Sequence, residues 1–229
     1  LSALVLSMPA RNKSLNLTKE GEMVSRRHAE LTFSLAAECG SKNSIDDSIL
    51  KPWKCEPPNQ VQIPADASHI AFWKLYEILH DTTVECPDVD DEDAIGAEIL
   101  KRLNLLDSQT IDLRDANDLI TPLAAAMAIG GGGEILGANH AQFKESKRID
   151  RTVEMLEAFS IEVEGTSDGM RITGGQYPTK PLQIVPTFGD HRMQMTAVIL
   201  ATRVGAMAVR RRRRPRRSPP AIEPPLPRR

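Results

Sequence analysis

Lys144-Glu145-Ser146-Lys147-Arg148 and, further on, Asp190-His191-Arg192-Met193-Gln194-Met195-Thr196 are the two stretches on which the reading of this chain turns. Each sets cations at the start of an apolar run with helical period. Over 144–159 the residues Ile149, Val153, Leu156 and Phe159 fall on one stripe, which predicts an amphipathic helix. Lys144 and Arg148 then share one face of it. Cations in a first helical turn oppose the positive end of the macrodipole, and a bound phosphate or carboxylate relieves that opposition. The competing reading is a solvated, charged helix start, partly neutralised by Glu145. In the second stretch Asp190 caps a buried-type helix over 193–202. Arg192 offers a planar cation suited to a bidentate oxyanion contact, and His191 is either a proton carrier or a packed histidine.

Working outward, Asp190 is the last of three similar aspartates. Asp66, Asp118 and Asp190 each precede a run rich in Ala, Leu, Ile or Met, at separations of 52 and 72 residues. Apolar periodicity predicts helices over 1–8, 25–38, 71–79, 92–103 and 119–129. It predicts strands over 14–17, 61–63, 82–85, 110–113 and 182–185, and a hairpin of 161–164 with 170–173 around Ser167-Asp168-Gly169. Gly130–Gly133 lacks the Lys-Ser/Thr of a phosphate loop and reads as a turn. The alternation predicts an α/β protein built of units on one plan. Asp118 is a general base if a hydroxyl lies near it, or else a helix cap; for Asp66 capping is the reading. Ser25, ahead of Arg26 and Arg27, repeats the logic of cations at a helix start.

Composition bounds the function. The formal net charge of -2 hides two parts: 210–229 hold nine Arg and one Glu, which leaves 1–209 at -10. The Arg/Pro-rich stretch 208–229 cannot form a core and is predicted to be disordered. Arg210 to Arg217 would neutralise nucleic-acid phosphates, but no aromatic residue accompanies them and the body is acidic, so a nucleic-acid partner is not expected. No apolar run is long enough to span a bilayer, and no targeting segment is visible. Cys39, Cys55 and Cys86 suggest neither a metal site nor a disulfide framework, so the expected location is cytoplasmic.

The same residues, in order, resemble the 5-enolpyruvylshikimate-3-phosphate (EPSP) synthase family. The resemblance is carried by Leu1-Ser2-Ala3-Leu4-Val5-Leu6, Val24-Ser25-Arg26, Pro64-Ala65-Asp66-Ala67-Ser68, Asn117-Asp118-Leu119, Phe143-Lys144-Glu145-Ser146-Lys147-Arg148 and Asp190-His191-Arg192-Met193. It covers about 1–207, and the Lys-Glu-Ser and Asp-His-Arg-Met segments are the specific part. It implies the enolpyruvyl transferase fold, an inside-out α/β barrel of repeated βαβαββ units, here truncated. It divides the chain into a remnant of one domain (1–62) and most of a second (63–207). The implied reaction transfers the enolpyruvyl group of phosphoenolpyruvate to the 5-hydroxyl of shikimate 3-phosphate, with no metal or organic cofactor and a monomeric complete form. The implied catalytic residues are Asp118, Glu145 and His191. Ser25, His28, His140, Lys144, Arg148 and Arg192 are the implied substrate-binding residues.

Four positions depart from the family pattern: His28 replaces Tyr, His140 replaces Asn, Gln142 replaces Arg and Lys147 replaces Asp. The family's earlier half precedes Leu1, so the isolated chain is expected to be inactive. Two alternatives stand beside this reading. One is the sibling UDP-N-acetylglucosamine enolpyruvyl transferase; the other is a non-catalytic fragment with a nucleic-acid-binding tail.

Overall fold

A computed structural model describes residues 1–21, 23–60, 67–85 and 96–205. The elements in chain order are α1 (Ser2–Ser7), β1 (Leu15–Asn16), α2 (Arg26–Glu38), β2 (Ile49–Leu50), α3 (Ile70–His80), α4 (Ala97–Arg102), β3 (Gln109–Asp112), α5 (Ile120–Ile129), β4 (Gly132–Leu136), α6 (Arg148–Glu157), β5 (Val163–Gly165), β6 (Met170–Thr173) and α7 (His191–Val204). Two apolar cores form. The smaller gathers Val5 and Met8 with Phe33 and Ala36 of α2 and Leu50 of β2. The larger runs from Ala67 to Leu200.

The larger core grows from one βαβαββ unit, β3-α5-β4-α6-β5-β6. Its sheet has the order β3-β4-β6-β5. β3 and β4 are parallel, as strands joined by a crossover helix must be. β4 with β6, and β5 with β6, are antiparallel, the last pair closing the expected hairpin with Gly165 opposite Met170. The crossover helix α5 reads Ile-Thr-Pro-Leu-Ala-Ala-Ala-Met-Ala-Ile, and all ten residues are buried. Its small side chains admit neighbours on every side, and Pro122 sits in the first turn, where a missing N–H costs least. α3 buries Ala71, Phe72, Leu75 and Leu79 along one stripe. α3, α5 and α7 pack pairwise against one another, while α5 also rests on β4 and β6. Three helices, each at the expected repeat position, thus share one interior.

Four expectations need correction. The glycine run is more than a turn, because Gly132 and Gly133 begin β4 in mid-sheet. Glycine is required there: at φ +125° a Cβ on Gly133 would stand 1.9 Å from the Gln109 carbonyl oxygen. Residues 82–85 form no strand. Residues 182–185 also form none, apart from a single bridge at Val185, and Leu182 and Ile184 are exposed. Apolar alternation makes a strand only where a ladder partner is at hand. Finally, α6 starts at Arg148, not Lys144. Residues 139–143 form a separate 3-10 turn, and Lys144 is extended, so Lys144 and Arg148 do not share a helix face. The expectations at Asp66, 61–63, the first part of 92–103 and 208–229 fall outside the described residues.

Candidate functional site

The starts of α3, α5, α6 and α7 meet at one place, because their packing aligns them and short polar turns precede each. Arg148 is the first residue of α6, and its side chain is 1% exposed. It donates from Nε to Asp190 Oδ2 at 3.0 Å and from Nη2 to Glu145 Oε2 at 2.6 Å. It also donates from Nη1 to Asp118 Oδ1. Arg192, in the first turn of α7, donates from Nη2 to Asp118 Oδ2 at 3.2 Å and from Nη1 to Ser68 Oγ, ahead of α3, at 3.0 Å. Lys144 Nζ lies 3.9 Å from Asp118 Oδ1. Three cations and three carboxylates therefore form one network across four helix starts.

Asp190 does two jobs. Its Oδ1 accepts from the Arg192 backbone N–H at 2.9 Å and caps α7, as expected. Its Oδ2 also accepts from Ser146 Oγ at 3.1 Å, while the residue is fully buried. Burial disfavours its charge, but the Arg148 guanidinium, the Arg192 amide and Ser146 outweigh that and hold the carboxyl below its usual range. Asp118 is not a cap: it sits in the 3-10 turn Asn117–Leu119, which has no side-chain cap, and it faces the cations. Burial again acts against it, and Arg192, Arg148 and Lys144 together hold it low. As placed, Asp118 is a stable anion and a weak base.

The other expected residues are spread around this network. Glu145 reaches it through Arg148. His191 opens α7 and is exposed, outside the hydrogen-bonded set. Both ring nitrogens of His140 lack hydrogen-bond partners among the described residues. Burial, then Lys144, keep its imidazole below the ordinary value, against the pull of Asp115, Asp168 and Asp118. Ser25 precedes α2 at φ 55° and makes no side-chain cap. The Asp115 carboxylate takes that helix start instead, accepting from the Arg26 N–H at 2.6 Å. Ser25 donates its backbone N–H to the Arg114 carbonyl at 3.1 Å, which sets the α2 start beside the segment leading to Asp118, and His28 lies in the first turn of that helix. Two participants were missed from sequence, Ser68 and Ser146. The signal for Ser146 was its place between Glu145 and Arg148, and for Ser68 its position just after the first repeat aspartate.

Known proteins place the chain. A sequence model described as EPSP synthase (3-phosphoshikimate 1-carboxyvinyltransferase) matches residues 65–225, well over half of the length. The chain belongs to the EPSP synthase family. The 3-phosphoshikimate 1-carboxyvinyltransferase of Korarchaeum cryptofilum is 27% identical over 90% of this chain and 53% of that protein. The one from Methanoculleus marisnigri is 32% identical over 92% and 55%. An EPSP synthase structure from Acinetobacter baumannii superimposes with a TM-score of 0.64 at 17% identity, over 88% of this chain and 53% of that one. The chain thus has the enolpyruvyl transferase fold and spans about half the length of the curated relatives it matches. Among the described residues no helix is long and apolar enough to cross a membrane.

Two of the four positions expected to depart from the family pattern, Lys147 and Gln142, have defined surroundings. Lys147 is exposed and leaves Arg148 oriented by Asp190, Asp118 and Glu145. Gln142 donates from Nε2 to the Asp150 carboxylate at 2.9 Å and so ties the 3-10 turn to the first turn of α6.

Proposed function

We propose that this chain carries part of the active site for transfer of the enolpyruvyl group from phosphoenolpyruvate to the 5-hydroxyl of shikimate 3-phosphate, with release of phosphate. The observation that carries the reading is the pairing of buried Arg148 and Arg192 with Asp118 where four helix starts converge. Helix N-termini favour anions, and buried guanidiniums bind phosphate and carboxylate bidentately. Both substrates are polyanions.

The network also suggests how the base is readied. A substrate phosphate or carboxylate competes with Asp118 for Arg148 and Arg192. Once those cations turn to the substrate, the burial of Asp118 raises its basicity, suiting it to take the 5-hydroxyl proton. In this reading Glu145, released from Arg148, exchanges the proton at the enol carbon, with His191 beside the same site. Lys144 and His140 face the sugar hydroxyls. Ser25 and His28, on the 1–62 unit, hold the shikimate phosphate across from the 63–207 unit. Because the chain spans about half the length of its relatives, the isolated chain is expected to release phosphate from phosphoenolpyruvate at a negligible rate.

Titration calorimetry tests the reading. Phosphoenolpyruvate and shikimate 3-phosphate are expected to bind, UDP-N-acetylglucosamine is not, and Arg192→Ala weakens phosphoenolpyruvate by about tenfold or more. Binding of the UDP-sugar in preference, or unchanged phosphoenolpyruvate affinity in Arg192→Ala, would overturn it.

A further inference from the structure

The cysteines offer something that their spacing in sequence concealed. Cys39 closes α2 at its C-terminal end, half-buried, and Cys55 is exposed on the segment that returns past it. The backbone holds the two together: the Glu56 N–H donates to the Cys39 carbonyl at 2.8 Å. One residue on, Gly40 lies against Lys54, where an added Cβ would stand 3.1 Å from the Lys54 carbonyl oxygen. The intervening loop is itself fixed. Buried Asn43 donates from Nδ2 to the Lys51 carbonyl at 3.0 Å and accepts from the Lys51 N–H at 2.7 Å, and Leu50 is fully buried. Both flanks of the loop are thus tied, and the backbone bond from Glu56 to Cys39 holds the Cys55 end of the returning segment beside the end of α2.

We propose that Cys39 and Cys55 are a covalent modification site, a reversible disulfide that pins the 51–60 segment to the end of α2. The oxidant is a low-molecular-weight disulfide of the glutathione class. The Cys55 thiolate attacks one sulfur of that disulfide, forms a mixed disulfide and expels one thiolate. Cys39, deprotonated, then attacks Cys55 Sγ and expels the second. One S–S bond is formed in the protein and one is broken in the oxidant, two thiol protons pass to the released thiolates, and the oxidant is reduced by two electrons. The order of attack follows from exposure. Burial, and then the neighbouring Cys55 thiol, push the Cys39 thiol up, so Cys55 meets the oxidant first.

The test uses the full chain and oxidised glutathione, read by thiol titration and by mass spectrometry of unreduced tryptic peptides. The titre is expected to fall from three thiols to one. The Cys39 and Cys55 peptides should stay joined after cleavage at Lys42 and Lys54, and separate on reduction. Cys39→Ser should instead trap a stable glutathione adduct on Cys55, while the same oxidation in urea should scatter links among all three cysteines. An unchanged titre, adducts on both cysteines without a link, or links to Cys86 in the folded chain would each overturn the proposal.

Discussion

Three helix starts carry basic residues, and they end in two opposite states. At α2, Arg26 and Arg27 have side chains 43% and 44% exposed; both pair with Glu30 within the same helix, and Arg26 also with exposed Asp46. At α6 and α7, Arg148 and Arg192 are 1% and 11% exposed; Arg148 pairs with Glu145 three residues away, and beyond it the two pair with Asp118 and Asp190, 30 to 74 residues away in sequence. The residue types match, but the surroundings do not. In water the α2 pairs gain little, because solvent screens them and two side chains must be ordered. In the interior each lost partner leaves a charge that water cannot reach. The α2 and α7 starts are both taken by protein carboxylates, Asp115 and Asp190, but at α7 that carboxylate is fully buried and also holds Arg148.

The contrast breaks most visibly at Asp190. Asp190→Ala removes the α7 cap and strips buried Arg148 of its Nε partner. It should lower stability by about 3–5 kcal/mol in urea unfolding. A loss under about 1 kcal/mol would show that the buried network is as weak as a surface pair. Arg148→Lys keeps the charge but loses the fork across three carboxylates. A cost of about 2–3 kcal/mol is expected in the same measurement, and a neutral outcome would mean that the three-way geometry is incidental.

Acid sharpens the comparison further. The carboxyls of Asp118 and Asp190 are held below their usual values. Their contribution is therefore complete above the ordinary carboxylate pKa of about 4 and is lost as pH falls from there through the folded values, where the unfolded chain binds more protons. Stability should fall with pH in that window. Asp118→Asn should reduce the slope by up to about 1.4 kcal/mol per pH unit, followed by denaturation at graded pH. An unchanged slope would remove Asp118 from the linked set. The smallest effect belongs to α2: Arg26→Ala should be hardly distinguishable from the unsubstituted chain in the same urea unfolding, because solvent screens its pairs with Glu30 and Asp46.

Local pattern made much of this molecule legible. The stripe of Ile149, Val153 and Leu156, the cap at Asp190 and the hairpin around Ser167-Asp168-Gly169 all depend on near neighbours, and they appear where expected. The site's residue types were legible too, since cations before apolar helices are unusual. Their partners were not, because nothing along the chain says that Arg148 will face both Asp118 and Asp190. That follows from four helix starts meeting, which is tertiary. The opening strand residues Gly132 and Gly133 were hidden for a different reason. Glycine has little strand propensity, and its need for close backbone approach to Gln109 is visible only in three dimensions. The same holds for Cys39 and Cys55, distant in sequence and joined by a backbone hydrogen bond at their side.

One consequence lies in α5, the crossover helix with no solvent-facing side. A ten-residue helix is too short to persist alone in water, so α5 acquires its stability only when the sheet, α3 and α7 close around it. It therefore has no partly assembled state of its own, and opening it requires the surrounding block to come apart together. Its amide hydrogens should exchange with solvent at the rate set by global unfolding, the slowest in the chain, while those of α2 are released earlier by local opening.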